Sequence, residues 1–279
     1  MSETSLFSRA TRHAARSTQH VFVSPHFDDV ALSCGGAVAA SVAAGADTRI
    51  VTVFGGAPAP DAPLAPFARQ LLREWGTPTF ADALRVRRAE DEAAARALGA
   101  PLTTLPLVDG AFRHTGYPDW PAMLVAPAPQ DAELPAQIAL ALRGTGLVTA
   151  ETVLVGPLGV GRHVDHRLVL AALRQLAGEV AAVWLYEDFP YAIGYPYTAH
   201  GDLPDAVRLA LADAGLTDAT PTTVNIAAHI ETRIRAVACY RSQIPVLFPE
   251  TPMPDAVRDY AASVAGGAGA AERFWPLRG

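Results

Sequence analysis

The sequence has few cysteines, no excess of positive charge and no long apolar run. Cys34 and Cys239 are its only cysteines. Two are too few for a disulfide framework, so we expect a reducing, cytoplasmic location. The formal net charge of −6 is spread along the chain, which argues against a nucleic-acid partner. The most apolar stretch, residues 35–46, is too short to span a bilayer, so we expect no membrane partner.

Motifs of several enzyme classes are also missing. The first predicted strand, residues 20–24, does not lead into the G-x-G-x-x-G motif of dinucleotide-binding folds. The later Gly156, Gly159 and Gly161 have the wrong spacing for it. The sequence contains neither the G-x-S-x-G of serine hydrolases nor the H-E-x-x-H of zinc proteases. These absences argue against all three classes.

Short β-branched runs alternate with longer segments rich in Ala, Leu and Arg. This alternation predicts an α/β fold that is Rossmann-like and doubly wound, with a mostly parallel sheet and helices on both faces. We expect residues 1–19 to be a flexible leader and residues 20–279 a single domain. Predicted strands cover residues 20–24, 49–54, 102–107, 152–155, 180–186 and 222–226; predicted helices cover 34–44, 81–98, 133–143, 165–176 and 227–241.

Polar residues follow the first predicted strand, where His26, Asp28 and Asp29 lie within four positions. Imidazole nitrogen and carboxylate oxygen are zinc ligands, and a catalytic zinc usually has three protein ligands. The His-x-x-Asp spacing lets His26 and Asp29 turn toward one point, with Asp28 beside the metal. A third ligand must come from elsewhere in the chain.

A second polar cluster follows the fourth predicted strand, where a glycine-rich loop carries His163, Asp165 and His166. In the common strand order 3-2-1-4-5, strands one and four are neighbours at the point where ligands bind. The two clusters should therefore meet. Alone, each histidine would be read as a structural residue and each aspartate as a helix cap. Together they favour a metal site, with zinc preferred over magnesium because of the imidazoles.

At these residues the sequence resembles the LmbE-like (PIG-L) family of N-acetylglucosaminyl deacetylases. That family commonly has Ala-His-Pro-Asp-Asp-Glu after strand one and Gly-His-Pro-Asp-His after a later strand. The pattern Arg87-x-x-Glu90 and the segments 186–191 and 240–243 resemble it too, so the likeness covers roughly residues 21–243.

The resemblance implies a role for each residue of the two clusters. His26, Asp29 and His166 would bind one Zn²⁺ per chain, although iron or another divalent ion would fit the same ligands. Asp28 would be the general base. His163 would stabilise the oxyanion, and Asp165 would orient and charge His163.

Substrate binding is the less constrained part of the resemblance. The sugar-contacting Arg of the family corresponds to Arg87, and a sugar-contacting Asp aligns with His114. Glu187 and Asp188 follow a strand end, where they would line the pocket. Four positions of the two motifs differ from the family's usual residues, and the substrate is therefore left open. Phe27 and Val164 replace Pro, Val30 replaces Glu, and Arg162 replaces Gly.

The function implied is a zinc-dependent hydrolase that removes an N-acetyl group from an amino sugar or glycoconjugate. Two alternatives remain, a zinc amidase for a larger N-acyl or peptide-like amide and a non-catalytic metal- or sugar-binding protein. Long loops at residues 55–66 and 108–129 would admit a larger substrate. The partner expected is a small molecule, and a homo-oligomer stays open.

Overall fold

The structure, a computed structural model, describes residues 18–59, 62–194 and 203–277. Most of the predicted leader lies outside these residues, and Gln19 already belongs to the first strand. The strands are β1 (Gln19–Ser24), β2 (Asp47–Thr52), β3 (Leu102–Thr104), β4 (Thr152–Pro157), β5 (Ala182–Tyr186), β6 (Thr222–Asn225) and β7 (Ala271–Leu277). The helices are α1 (Asp29–Ala43), α2 (Pro66–Glu74), α3 (Phe80–Leu98), α4 (Gly110–Arg113), α5 (Trp120–Met123), α6 (Leu134–Gly144), α7 (Val164–Leu176), α8 (Leu203–Asp213), α9 (Ile230–Val237), α10 (Ile244–Leu247) and α11 (Met253–Val264).

The seven strands form one sheet in the order β3-β2-β1-β4-β5-β7-β6. The first five strands are parallel, whereas β7 runs antiparallel to both β5 and β6. The predicted order 3-2-1-4-5 and the mostly parallel α/β fold are confirmed. Because β1 and β4 are neighbours, the loops that follow them meet at one edge of the sheet.

Alternating residues of β1 bury their side chains on opposite faces of the sheet. Val21 and Val23 belong to one apolar cluster, which includes residues of α6 and α7. Phe22 belongs to a second cluster, which includes residues of α1, α3 and α9. Both sides of β1 are therefore covered, and burial of each such side chain contributes about 2 kcal/mol.

Helix α3 begins and ends at residues that favour those positions. The Thr79 side chain accepts a hydrogen bond from the backbone N–H of Asp82, and Gly99 ends the helix with φ +75°. The structure agrees with the predicted helix 81–98 to within one residue. This accuracy matters because α3 carries Arg87 to the site.

The C-terminal part differs most from the prediction. Strand β7 and helices α8 and α11 were not predicted there, and the helix expected at 227–241 is limited to Ile230–Val237; α2, earlier in the chain, was not predicted either. The sequence of β7, AERFWPL, contains a proline and two charged residues. It forms a strand because β5 and β6 pair with it on both sides.

Strands β2 and β3 both end before the predicted residues. Just after the ends of these two strands, Phe54 and Pro106 form an isolated antiparallel bridge. Among the described residues, no helix combines the length and apolar character needed to cross a membrane.

Candidate active site

The loop after β1 is a tight turn held by its own polar groups. Ser24 Oγ donates to the carbonyl of His26 at 2.6 Å and accepts from the N–H of Val30 at 3.1 Å. The backbone N–H of His26 donates to Asp29 Oδ2 at 2.6 Å. These bonds hold His26 and Asp29 on the same side of the turn. Val30, where the family has Glu, is buried in the apolar core.

The loop after β4 contains three residues with positive φ, Gly159, Gly161 and Arg162. A Cβ on Gly161 would lie within 2.8 Å of the Tyr191 ring, so glycine is required there. Arg162 occupies a position where the family has Gly, and its φ of +64° costs roughly 1–2 kcal/mol. Its guanidinium forms two hydrogen bonds with Asp213, at 2.7 and 2.9 Å, which partly offset that cost.

The structure brings together the three histidines predicted for the site. Nitrogens of His26, His163 and His166 all lie within 4.8 Å of one another. Asp29 lies between the first and the last, with Oδ2 3.3 Å from His26 Nδ1 and Oδ1 3.3 Å from His166 Nε2. The predicted ligands His26, Asp29 and His166 are therefore in mutual contact.

A carboxylate lies behind each of the two predicted histidine ligands. The other ring nitrogen of His166, Nδ1, donates to Asp188 at 2.6 Å. The other ring nitrogen of His26, Nε2, lies 3.1 Å from Asp165 Oδ2. Metal-binding histidines typically donate their second N–H to such an acceptor, which fixes the ring. Both histidines thus turn one nitrogen toward Asp29 and the other toward a supporting carboxylate.

The charges and polar atoms of this cluster fit a divalent cation. His166 Nε2 is buried and has no hydrogen-bond partner among the described residues. Burial alone would lower the pKa of His166, but Asp29 and Asp188 outweigh it and raise that pKa to about 9. The same excess of negative charge raises the pKa of His26 against the effect of burial, through Asp165, Asp29 and Asp109. Two imidazoles and a carboxylate are a donor set typical of zinc.

Asp28 lies beside this cluster and contacts Arg87. An oxygen of Asp28 is 3.1 Å from a guanidinium nitrogen of Arg87, and both residues are buried. Burial raises the pKa of Asp28, while the charge of Arg87 opposes that increase. The Arg87 guanidinium also lies over the rings of Phe27 and Trp75. Arg87 is therefore held in the wall of the site.

His163 begins α7, and its Nδ1 accepts a hydrogen bond from the backbone N–H of Asp165 at 3.3 Å. Burial and the neighbouring His26 and His166 lower its pKa well below the usual value. A neutral imidazole that accepts at Nδ1 carries its proton on Nε2. His163 therefore presents a hydrogen-bond donor, and it lines the cavity at the site.

The predicted role of Asp165 requires a hydrogen bond from its carboxylate to His163. The structure does not have this bond. The carboxylate lies behind His26 and accepts from Gly110 N at 2.8 Å and from Arg113 at 3.0 Å. Burial would raise the pKa of Asp165, but Arg113 and His26 outweigh it and hold that pKa far below the usual range. The prediction placed Asp165 at the site but assigned it to His163, whereas its carboxylate lies against His26.

Glu187 and Asp188, predicted to line the pocket, lie in two different networks. Asp188 is behind His166, where its other oxygen accepts from the N–H groups of Gly159 and Val160. Glu187 is also buried and accepts three side-chain hydrogen bonds, from Tyr260, Arg273 and Trp275. Neither is among the residues that line the cavity beside His26, Asp29 and His163.

His114 is also directed away from the cavity. Its Nε2 lies 3.1 Å from Asp131 Oδ1, and its ring stacks on Tyr117. Asp109 lines the cavity instead, with Oδ2 3.7 Å from His26 Nε2. Asp109 was missed, although it follows a predicted strand end in the same way as the other site residues.

The cavity itself has polar groups at its base and aromatic walls. Its volume is about 80 Å³. Asp28, Asp29, Arg87 and Asp109 contribute the charged groups beside the histidines. The aromatic residues in the lining are Trp75, Trp120, Phe189 and Tyr191. Polar groups beside aromatic faces are typical of a small polar ligand with ring surfaces.

Known proteins share this arrangement of sequence and fold. Residues 21–177 match the family model described as "PIG-L: GlcNAc-PI de-N-acetylase". A 2'-N-acetylparomamine deacetylase from Streptomyces fradiae is 34% identical over 84% of this chain and 77% of its own length. A 2'-N-acetylparomamine deacetylase from Niallia circulans is 32% identical over 61% of this chain and 66% of its own length.

A solved structure agrees with these matches. It is a crystal structure of the zinc-inhibited form of a teicoplanin deacetylase, with 25% identity and a TM-score of 0.73. It covers 94% of this chain and 99% of its own. The predicted resemblance is confirmed: the chain belongs to the PIG-L family, described as GlcNAc-PI de-N-acetylases, and it is an N-deacetylase.

Proposed function

We propose that this N-deacetylase binds one zinc ion through His26, Asp29 and His166 and removes the acetyl group from an N-acetylated amino sugar. The observation that carries the proposal is the arrangement of the two histidines. Each turns one nitrogen toward Asp29 and the other toward a buried carboxylate. A zinc ion held there would polarise the amide carbonyl and lower the pKa of water toward ~7.

In this proposal Asp28 is the general base. It lies next to Asp29 in the chain, lines the same cavity and forms an ion pair with Arg87. A carboxylate in that position accepts the proton of the attacking water and then passes it to the leaving nitrogen. The water oxygen bonds to the carbonyl carbon, and the amide C–N bond then breaks as the nitrogen takes the proton. The products are acetate and a free amine.

His163 is proposed to stabilise the negative oxygen that develops on the amide carbon. Its Nε2–H is available because Nδ1 already accepts from Asp165 N–H. A fixed donor in a buried site lowers the energy of the transition state more than that of the substrate. Arg113 and Asp165 support His26 instead of His163, which separates the oxyanion donor from the metal ligands.

We propose an amino sugar of the paromamine type as the substrate class. The support is the identity to the two 2'-N-acetylparomamine deacetylases, together with the polar base and aromatic walls of the cavity. Arg87 and Asp109 are the proposed contacts to the sugar, since both line the cavity beside His26. We propose a cytoplasmic location too, supported by two cysteines that are free thiols.

The test measures zinc content by mass spectrometry together with amine release from 2'-N-acetylparomamine and N-acetylglucosamine. Wild-type protein should bind about one zinc per chain, and His166→Ala should lose both the zinc and the amine release. Comparing N-acetyl with long-chain N-acyl glucosamines separates the deacetylase from an amidase for larger acyl groups. A wild-type protein that binds no zinc when zinc is supplied would contradict the proposal.

A further inference from the structure

The segment Tyr240-Arg241-Ser242-Gln243 has no part in the chemistry proposed above. Gln243 nevertheless lines the same cavity as His26, Asp28 and His163. It lies immediately before α10 and is only 5% exposed. A buried amide in the wall of a polar site is a candidate for substrate recognition, so its orientation matters.

The orientation of the Gln243 amide is fixed by its neighbour Ser242. The Ser242 hydroxyl donates to Glu90 Oε2 at 2.6 Å, and the Ser242 backbone N–H donates to Glu90 Oε1 at 2.8 Å. A hydroxyl has a single hydrogen, which here is given to Glu90. Its oxygen can then only accept, so the nitrogen of the Gln243 amide must face it, at 3.0 Å.

The amide oxygen of Gln243 is therefore left for the cavity. Within the described part of the chain, its side chain makes one hydrogen bond, through Nε2. Oε1 keeps both lone pairs in a cavity wall that also carries the acceptors Asp28 and Asp109. The wall also carries the donors Arg87 and His163, so the acceptors in it are the groups that recognise hydrogen-bond donors of a ligand, such as hydroxyl and ammonium groups.

Helix α3 holds this turn and Arg87 together. Glu90 and Asp91 follow Arg87 by three and four positions, so all three side chains leave the helix on neighbouring faces. Glu90 binds Ser242, and Asp91 accepts from Tyr240 Oη at 2.7 Å. One rigid element thereby sets the position of Arg87 and the orientation of Gln243.

We propose that Gln243 is a substrate-contacting residue whose Oε1 accepts a hydrogen bond from a hydroxyl or ammonium group of the amino sugar. Glu90 and Ser242 are positioning residues, which act by fixing the polarity of the Gln243 amide. The inference rests on the proposed function for the identity of the ligand as an amino sugar. It adds the residue that reads the donor groups of that sugar.

The experiment uses the full chain loaded with zinc. Binding of paromamine, the product amine, is measured by calorimetry, and KM and kcat are measured on 2'-N-acetylparomamine. The variants are Gln243→Leu, Ser242→Ala, Glu90→Gln and the double variant Ser242→Ala/Gln243→Leu. Ser242→Thr keeps the hydroxyl and should restore wild-type values. Gln175→Leu, on the exposed side of α7, is the matched control.

Gln243→Leu should raise both the Kd of paromamine and KM about tenfold, the effect of one lost hydrogen bond at a desolvated site, with kcat within about twofold. Ser242→Ala and Glu90→Gln should each raise them about threefold, because they release the amide without removing it. Once Gln243 is absent, Ser242→Ala should add nothing. Thermal unfolding of Ser242→Ala near the wild-type temperature shows that the protein remains folded.

The outcomes separate this inference from the proposed function. A wild-type protein that turns over no acetylated sugar contradicts the proposed function. If wild type and Gln243→Leu have equal Kd values for paromamine, the role of Gln243 is contradicted and the deacetylase activity is not. A wild type that binds no paromamine but is active contradicts the role of Gln243 in the same way. Effects of Ser242→Ala and Gln243→Leu that multiply in the double variant contradict the positioning role of Ser242.

Discussion

Two buried pairs of arginine and carboxylate lie against helix α1, one at each end of its first half. Arg87 and Asp28 are 3.1 Å apart at the start of the helix, and Arg233 and Glu272 are 3.2 Å apart near its kink at Cys34. Burial raises the pKa of both carboxyl groups, and the nearby arginine opposes that increase in each case.

The two pairs differ in what else surrounds the carboxylate. Glu272 also accepts from the backbone N–H groups of Gly36 and Ala37, at 2.9 and 2.7 Å. These N–H groups begin the second half of α1, so the carboxylate caps a helix inside the core. Asp28 lines a cavity instead. The comparison shows that the same ion pair is structural when every oxygen is occupied and available for chemistry when it faces a cavity.

Asp28→Asn tests the pair that faces the cavity, and it should give the largest effect of the variants that test this comparison. The variant keeps the shape of the side chain but cannot accept a proton, so kcat should fall by about 10³-fold. Zinc content should remain close to wild type, and stability should fall less than in a variant that unpairs Arg233, because Arg87 lines the cavity whereas Arg233 is fully buried. Amine-release assays with zinc analysis check this, and an active Asp28→Asn protein would remove Asp28 from the role of general base.

Glu272→Gln tests the pair that lies in the core. It leaves Arg233, which is fully buried, without a charged partner, so the free energy of unfolding should fall by about 3 kcal/mol. The folded fraction should keep its kcat, because Glu272 does not line the cavity. Urea unfolding and activity on one preparation test both parts. Stability equal to wild type would show that the ion pair is dispensable.

Asp188→Asn tests a carboxylate that shares a feature with each pair. The oxygens of Asp188 are all occupied, like those of Glu272, but Asp188 also contacts His166, a proposed metal ligand. Loss of the charge behind His166 should weaken zinc affinity about 10- to 100-fold. Competition with a chelator measures this directly. A matched control is Glu187→Gln, the neighbouring buried carboxylate, which accepts from Tyr260, Arg273 and Trp275 and contacts neither His26 nor His166. Equal zinc affinity in the wild-type and Asp188→Asn proteins would exclude the supporting role.

Asp91 tests a buried carboxylate that forms no ion pair among the described residues, and its expected effect is the smallest. Burial raises the pKa of Asp91 to about 7, although hydrogen bonds from Tyr240 and Thr52 oppose the increase. Between pH ~4 and pH ~7 the folded protein therefore holds a proton that the unfolded chain releases, so Asp91 makes stability fall as pH rises.

Asp91→Asn should remove this contribution and make the slope of stability against pH more positive in that window. The change should be on the order of 1 kcal/mol per pH unit. Urea unfolding at several pH values measures it. His20→Gln is a useful opposite control, since burial lowers the pKa of His20 to about 4 and its contribution makes stability rise with pH. Parallel curves for wild type and Asp91→Asn would contradict the prediction.

The fold and the meeting of the two polar clusters could be predicted because they depend on local patterns. The strand and helix alternation gave the order of five strands, and the residues after β1 and β4 met as expected. Strand β7 could not be predicted, because its mixed sequence becomes a strand only through pairing with β5 and β6. Its buried Glu272 reads as a surface residue until Arg233 is placed beside it.

The partners of individual carboxylates could not be predicted either. Asp165 adjoins His166 in the chain but supports His26, because α4 brings Gly110 and Arg113 to it. His114 was chosen by alignment, whereas Asp109, five positions earlier, lines the cavity. These assignments depend on side-chain direction after tertiary packing, which spacing alone does not contain.

The two consecutive carboxylates after β5 connect the candidate active site to strand β7, which lies between β5 and β6. Asp188 holds the ring of His166, and Glu187 holds Arg273 and Trp275 of β7. A single peptide bond thus joins the support of a proposed metal ligand to a strand that has no chemical role. Insertion of one residue directly after β5 would move Glu187 to the place beside His166 and move Asp188 past it, so the length of the chain between β5 and Phe189 is as constrained as the identity of its residues.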